Sequence, residues 1–132
     1  MIVADSNLIA SCILQSEATQ AALELRARDS DWKVPRLWRY EVQNILATMI
    51  KTGRITRAAA QTAYAGAFGV LQAHETDPAP ENVLALVEAH GISGYDAQFV
   101  ALAEQLACPL YTQDRELLKK FPRIAKRYYN PR

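Results

Sequence analysis

Residues 93–114 read SGYDAQFVALAEQLACPLYTQD, an apolar passage with an aspartate near each end, Asp96 and Asp114. An apolar helix packed on a strand needs neither. Two more acids occupy comparable places: Asp5 follows the apolar triplet IVA, and Glu41 lies at the head of YEVQNILATMIK. Each has an ordinary structural use. Asp5 can cap a helix beginning near Asn7 and Asp114 can cap RELLKKF. Glu41 suits a first helical turn, and Asp96 answers Ser93 in a capping box. Brought together, the four would repel. Two like charges about 4 Å apart cost on the order of 1 kcal/mol in water and about 4 near a protein surface. A cation among them removes that penalty, and carboxylate oxygens suit Mg²⁺ or Mn²⁺. With only acids as ligands, the chemistry such a cluster supports is metal-assisted hydrolysis at phosphorus.

The elements that must position these acids follow from pattern. IVA (2–4) reads as a short buried strand ended by Asp5-Ser6-Asn7, with a helix through LIASCIL. Ser16 is placed as the cap of a helix EATQAALELRAR. WKVP (32–35) reads as a strand stopped by Pro35, and a helix over residues 40–51 ends at Gly53. Thr56 caps RAAAQTAYAGAFGVLQA, and Pro80 opens ENVLALVEAH with Gly91 behind it. Ser93 and Asp96 precede AQFVALAEQLA, CPLYT (108–112) is a strand, and Asp114 begins RELLKKF. RYY (127–129) is read as a last strand. Short apolar strands alternating with helices indicate an α/β fold with a mostly parallel sheet covered on both faces. Ligands of such sheets bind beyond the carboxyl ends of the strands. Asp5 and Asp114 sit just past a strand, Glu41 and Asp96 at helix starts, so one rim can receive all four.

The chain has 132 residues, the size of one domain over 1–132, and half are hydrophobic, enough for a core without staples. No apolar run reaches the roughly 18 residues that span a bilayer, and the start has no basic region before its early aspartate. Cys12 and Cys108 are far apart and read as reduced. These features fit a cytoplasmic protein. The net charge of +1 hides a strong asymmetry. Residues 58–114 hold seven acids and no Lys or Arg, whereas 26–57 and 115–132 are basic. That suits a polyanion beside an acidic site, or simply basic helices facing water.

Four passages of the sequence resemble the PIN-domain nucleases, and within them the VapC-type toxins of bacterial toxin–antitoxin pairs. VADSNLIA resembles the first strand with its aspartate. PRLWRYEVQNIL followed by KTGRI resembles the glutamate helix and its turn. GISGYDAQFVALAEQLACPLYTQDREL resembles the family's DA-x-x-VALA helix, strand and T-x-D. The resemblance covers nearly the whole length. It implies a Rossmann-like three-layer α/β/α sandwich and Mg²⁺- or Mn²⁺-dependent cleavage of RNA, with transfer and ribosomal RNA among the substrates. It places Asp5, Glu41, Asp96 and Asp114 in the metal site, Asp5 and Asp96 as principal ligands. Ser6, Asn7 and Thr112 are its supporting polar groups, and Glu116 is the candidate for a further acid. It also implies a cognate antitoxin, received in a groove of the 16–28 and 41–71 helices, and a homodimer.

Several basic residues are candidates for RNA: Arg36 and Arg39 just before Glu41, Arg115 just after Asp114, and Lys119 and Lys120 in the run KKFPRIAKRYY. In that run Arg123, Lys126 and Arg127 accompany Tyr128 and Tyr129, the charges and rings of single-strand binding or of a solvated tail. His74 and His90 have no metal-ligand spacing. A haloacid dehalogenase-type phosphatase also begins with an aspartate after a first strand, but requires a second aspartate where this chain has Asn7. Two further readings compete with the toxin: a non-catalytic PIN-like module binding RNA or protein, and an RNA-processing nuclease outside a toxin system.

Overall fold

The computed structural model describes residues 1–131. In chain order these form β1 (Ile2–Ala4), α1 (Ser6–Ile13), α2 (Thr19–Arg28), β2 (Trp32–Lys33), α3 (Trp38–Lys51), α4 (Arg57–Leu71), a 3₁₀ turn (Gln72–His74), α5 (Pro80–His90), α6 (Gly94–Leu106), β3 (Leu110–Tyr111), α7 (Arg115–Lys120) and β4 (Ala125–Lys126). The four strands pair in the order β2-β1-β3-β4, all parallel.

Residues alternate between the faces of a strand, and β1 divides the core accordingly. Ile2 and Ala4 pack with Leu8, Ile9, Trp38, Val42 and Leu71 of α1, α3 and α4. Val3 packs on the other face with Val83, Phe99, Val100 and Leu117 of α5, α6 and α7. The result is a three-layer α/β/α arrangement with a wholly parallel sheet. No described helix is long and apolar enough to cross a membrane.

The strand order places a topological switch between β1 and β3. From β1 the chain crosses to β2 on one side; it later returns to β3 on the other. Helices diverge from that point, leaving a crevice at the strands' carboxyl ends. Asp5 follows β1, and Thr112 and Asp114 follow β3. The backbone bond from Asp5 N to Tyr111 O, 3.2 Å, fixes the register there.

Three elements differ from the sequence expectation. Ser16 does not cap α2: its hydroxyl accepts from Ala18 N within a turn whose other member is the Thr19 hydroxyl, and the helix begins only at Thr19. α3 begins at Trp38, two residues early, because Trp38 N already reaches Pro35 O at 3.0 Å. The last strand is Ala125–Lys126, not 127–129. The cause is Gln113, whose side-chain oxygen accepts from both Tyr128 N and Tyr129 N and draws the chain off the sheet edge. Thr56 and Ser93 do cap their helices, and Gly91 takes the left-handed conformation (φ +66°) that ends α5.

Candidate functional site

Among the described residues the buried polar or charged ones are Asp5, Ser6 and Thr112. All three belong to one network. Asp5 caps α1, its Oδ1 accepting from Ser6 N at 2.7 Å. Its Oδ2 accepts from the Thr112 hydroxyl at 2.6 Å and from Asn7 Nδ2 at 3.2 Å. The Ser6 hydroxyl donates to Glu41 Oε1 at 2.7 Å, which ties α1 to α3. Thr112 Oγ1 in turn accepts from Asp114 N at 3.0 Å, and Asp114 caps α7 by accepting from Leu117 N. Capping and site membership are therefore compatible for Asp5 and Asp114: each carboxylate serves a helix end and faces one crevice.

That crevice is a cleft of about 600 Å³ lined by Asp5, Glu41, Asp96 and Asp114 together with Ser6, Asn7, Leu37, Tyr40, Asn44, Ile45 and Tyr95. Four acids line it and no base does. Burial pushes the Asp5 carboxyl up to about 6, further aided by the charges of Glu41 and Asp96 and opposed by its hydrogen bonds. Burial also raises Glu41, with Asp96 adding to it. Asp96 is raised by burial and then by Asp114 and Glu116. The cleft thus concentrates negative charge with no basic side chain on its walls. Oxygen donors in that setting fit a hard divalent cation. Among the described residues no three acid, His or Cys side chains already converge on one point that could hold an ion; the carboxylates stand around the walls.

Thr112 links Asp5 to Asp114 with no exposure to solvent. Thr112→Val keeps the shape and removes the hydroxyl that both neighbours use. It is expected to lower stability by about 1–3 kcal/mol, read as the urea midpoint; an unchanged midpoint would show that the hydroxyl does not hold the two acids.

The basic candidates are mostly placed elsewhere. Arg39 does not face the acids: its guanidinium pairs with Glu75, which also accepts from Trp38 Nε1, and lies 4.9 Å from the centre of the Phe68 ring. Arg36 is held by Asp77 through Nε and its backbone N. Both line a neighbouring cleft instead. Lys120 bridges His90 O and Glu116, which leaves one of its three ammonium donors unused by them. Glu116 is exposed and paired with that lysine, and reaches the site only through its field on Asp96. Arg115 and Lys119 are exposed on α7. Tyr128 and Tyr129 are not free stacking rings: Tyr128 OH lies 3.0 Å from Ser11 Oγ and donates to Asn7 Oδ1 at 3.3 Å, and Tyr129 OH donates to Glu17.

Sequence reasoning missed Tyr128, which orients the Asn7 amide toward Asp5. No local signal marks it, since the contact spans 121 residues. It also missed Tyr40 and Tyr95, each of which immediately precedes a cleft acid. The available signal was a tyrosine directly before each of two acids at a helix start.

A parallel sheet with an acid-lined cleft at its switch point defines a class, and the chain belongs to the PIN domain family, whose model matches residues 2–126. Among its relatives, ribonuclease VapC3 of Pyrobaculum aerophilum is 29% identical over 126 residues, covering 93% of this chain and 96% of that protein. Exonuclease VapC9 of the same organism is 37% identical over 84 residues, covering 61% of this chain and 60% of that one. The crystal structure of PAE2754 from Pyrobaculum aerophilum superposes with a TM-score of 0.76 at 25% identity, over 96% of this chain and 90% of its own. FitAcB from Neisseria gonorrhoeae shares the fold, with a TM-score of 0.69 at 13% identity over 95% and 96% of the two chains.

Proposed function

We propose that this chain is a Mg²⁺- or Mn²⁺-dependent endoribonuclease, acting in the cytoplasm as the toxin of a toxin–antitoxin pair, with residues 1–132 forming one PIN-like unit. The observation that carries the reading is the cleft at the switch point, with four carboxylates and no base on its walls. The ribonuclease and exonuclease named among the relatives support it.

In this reading Asp5 and Asp96 hold the metal from the end of β1 and the start of α6, and Glu41 and Asp114 complete its surroundings. When bound, the ion supplies Lewis acidity at phosphorus and offsets the charge of the substrate against the acids. Thr112, Asn7 and Ser6 hold Asp5 by three hydrogen bonds, so its carboxylate has one orientation before any substrate arrives. Ser6 also fixes Glu41 Oε1, leaving Oε2 as the atom able to take a proton from the attacking water.

The antitoxin belongs, in the same reading, in an apolar groove of about 200 Å³ between α1, α2 and α4, where Ile13, Leu23, Val70 and Leu71 surround Trp32. Leu23 and Val70 are about half exposed there. The Trp38, Tyr64 and Phe68 rings, by contrast, stack on one another, with Trp38 fully buried. A second copy of the chain is the other expected partner.

The test is incubation of purified, antitoxin-free protein with total RNA in Mg²⁺, Mn²⁺ or chelator, beside Asp96→Asn. Discrete fragments that need the metal and vanish in the variant are expected. They identify the RNA cut, transfer or ribosomal. Progressive trimming from an end instead would replace the endonuclease with an exonuclease. Absence of any cleavage by folded protein in both metals would overturn the proposal.

A further inference from the structure

Two tyrosines remain without structural work. Tyr40 is 65% and Tyr95 67% exposed, and among the described residues no other Phe, Tyr or Trp is exposed. Neither ring makes a side-chain hydrogen bond or a ring contact among the described residues. Both stand on the wall of the acidic cleft. Each directly precedes one of its acids in the first turn of a helix, Tyr40 before Glu41 on α3 and Tyr95 before Asp96 on α6.

The same two rings, with Leu37, also line a neighbouring cleft of about 470 Å³. They therefore form the ridge between the two. The second cleft carries Arg36, whose side chain is 69% exposed and whose bond to Asp77 uses only Nε. Its two terminal amino groups stay available to a phosphate oxygen. A chain of phosphates and flat bases matches this sequence of surfaces: acids that take a phosphate through a cation, a ridge of two rings, then a guanidinium. A base stacks on an aromatic ring only when it is not paired inside a duplex.

We propose that Tyr40 and Tyr95 are stacking platforms that position the bases flanking the scissile phosphate, with Arg36 taking a neighbouring phosphate. This rests on the nuclease reading above. The tyrosines are positioning residues: they set where the strand lies and do not touch the reacting atoms.

The experiment measures affinity rather than turnover. Asp96→Asn serves as the uncleaving parent, and fluorescence anisotropy follows a labelled 12-nucleotide strand, the same strand annealed to its complement, a hairpin bearing it as loop, and an abasic version, all with Ca²⁺. The parent is expected to bind strand and loop alike, and duplex and abasic strand at least about tenfold more weakly. Adding Tyr40→Ala or Tyr95→Ala is expected to weaken strand binding about tenfold each, while Tyr40→Phe and Tyr95→Phe retain it, since the face and not the hydroxyl is used. Both positions are exposed, and circular dichroism confirms that the alanine variants fold. Equal affinity for strand, duplex and abasic strand, with no loss in the alanine variants, overturns the platforms while leaving the nuclease reading intact, and reassigns the rings to a protein contact. A parent that binds no RNA overturns both.

Discussion

Asp5→Asn is expected to abolish RNA cleavage, by a factor of about a thousand or more, and to make the metal-free protein more stable at neutral pH. The two effects share one cause. Asp5 is 8% exposed and its carboxyl is raised to about 6, chiefly by burial. At pH 7.5 the native protein therefore holds a buried charge that an amide would not carry. A shift of roughly two units corresponds to about 3 kcal/mol of differential stability. The hydrogen bonds survive the exchange in large part. Ser6 N still finds an oxygen. The Asn7 amide can turn over, because the Tyr128 hydroxyl beyond it accepts as readily as it donates and has Ser11 Oγ at 3.0 Å. Thr112 Oγ1 likewise accepts as well as donates. A net gain of about 1–3 kcal/mol is expected in chelator, after the cost of a weaker bond at Thr112. Denaturant unfolding beside an RNA cleavage assay checks both. A variant that loses activity and also loses stability would show that the carboxylate is held for structure.

The wild-type protein carries the same signature in its pH dependence. Asp5, Glu41 and Asp96 all bind a proton more tightly when folded, burial being the main cause in each. The stability they contribute is complete below the ordinary carboxylate values near 4 and is lost as pH rises through about 6, where Asp5 ionises. Glu75 and Asp29 work in the opposite sense. Glu75 is held low by Arg39, and Asp29 by its hydrogen bond from the amino terminus, so their contributions fade only as pH falls below the usual range. Between about pH 4.5 and 7 the cleft acids decide the slope. The melting temperature of the metal-free protein is expected to fall by on the order of 10 °C across that window. Mg²⁺ is expected to raise the melting temperature more at pH 7.5 than at pH 5, because the ion binds the ionised site. A flat profile in chelator, with equal Mg²⁺ effects at both values, would remove the coupled acidic site.

The sequence revealed the acids because strand ends and helix starts are local features. Asp5 follows three apolar residues, and Asp114 follows a strand and begins a helix, whatever the rest of the chain does. The switch between β1 and β3 was not legible, since it depends on pairing between Val3 and Leu110. Arg36 and Arg39 were misplaced for a related reason. Adjacency to Glu41 put them at its rim, but their partners Asp77 and Glu75 lie in the segment after α4 and draw them to the other side of the Tyr40 ridge. The RYY strand failed because β propensity is overridden when a side chain, here Gln113, supplies the hydrogen bonds a neighbouring strand would. Local capping was legible at Thr56, Ser93 and Asp114. It does not compete with a place in the cleft, because a cap carboxylate and a cleft carboxylate can be the same atoms.

The span of the Asp5 network sets an order of events during synthesis. Asp5 leaves the ribosome long before its hydroxyl donor, Thr112, and before Tyr128, which orients Asn7. β1, one of the sheet's two inner strands, waits for β3 to pair on one side. A nascent chain bearing α1 to α5 has most of its helices but lacks Asp96, Asp114 and the groups that aim Asp5. The acidic cleft therefore assembles only when nearly the whole chain is available, because its walls come from residues as far apart in sequence as Asp5 and Asp114.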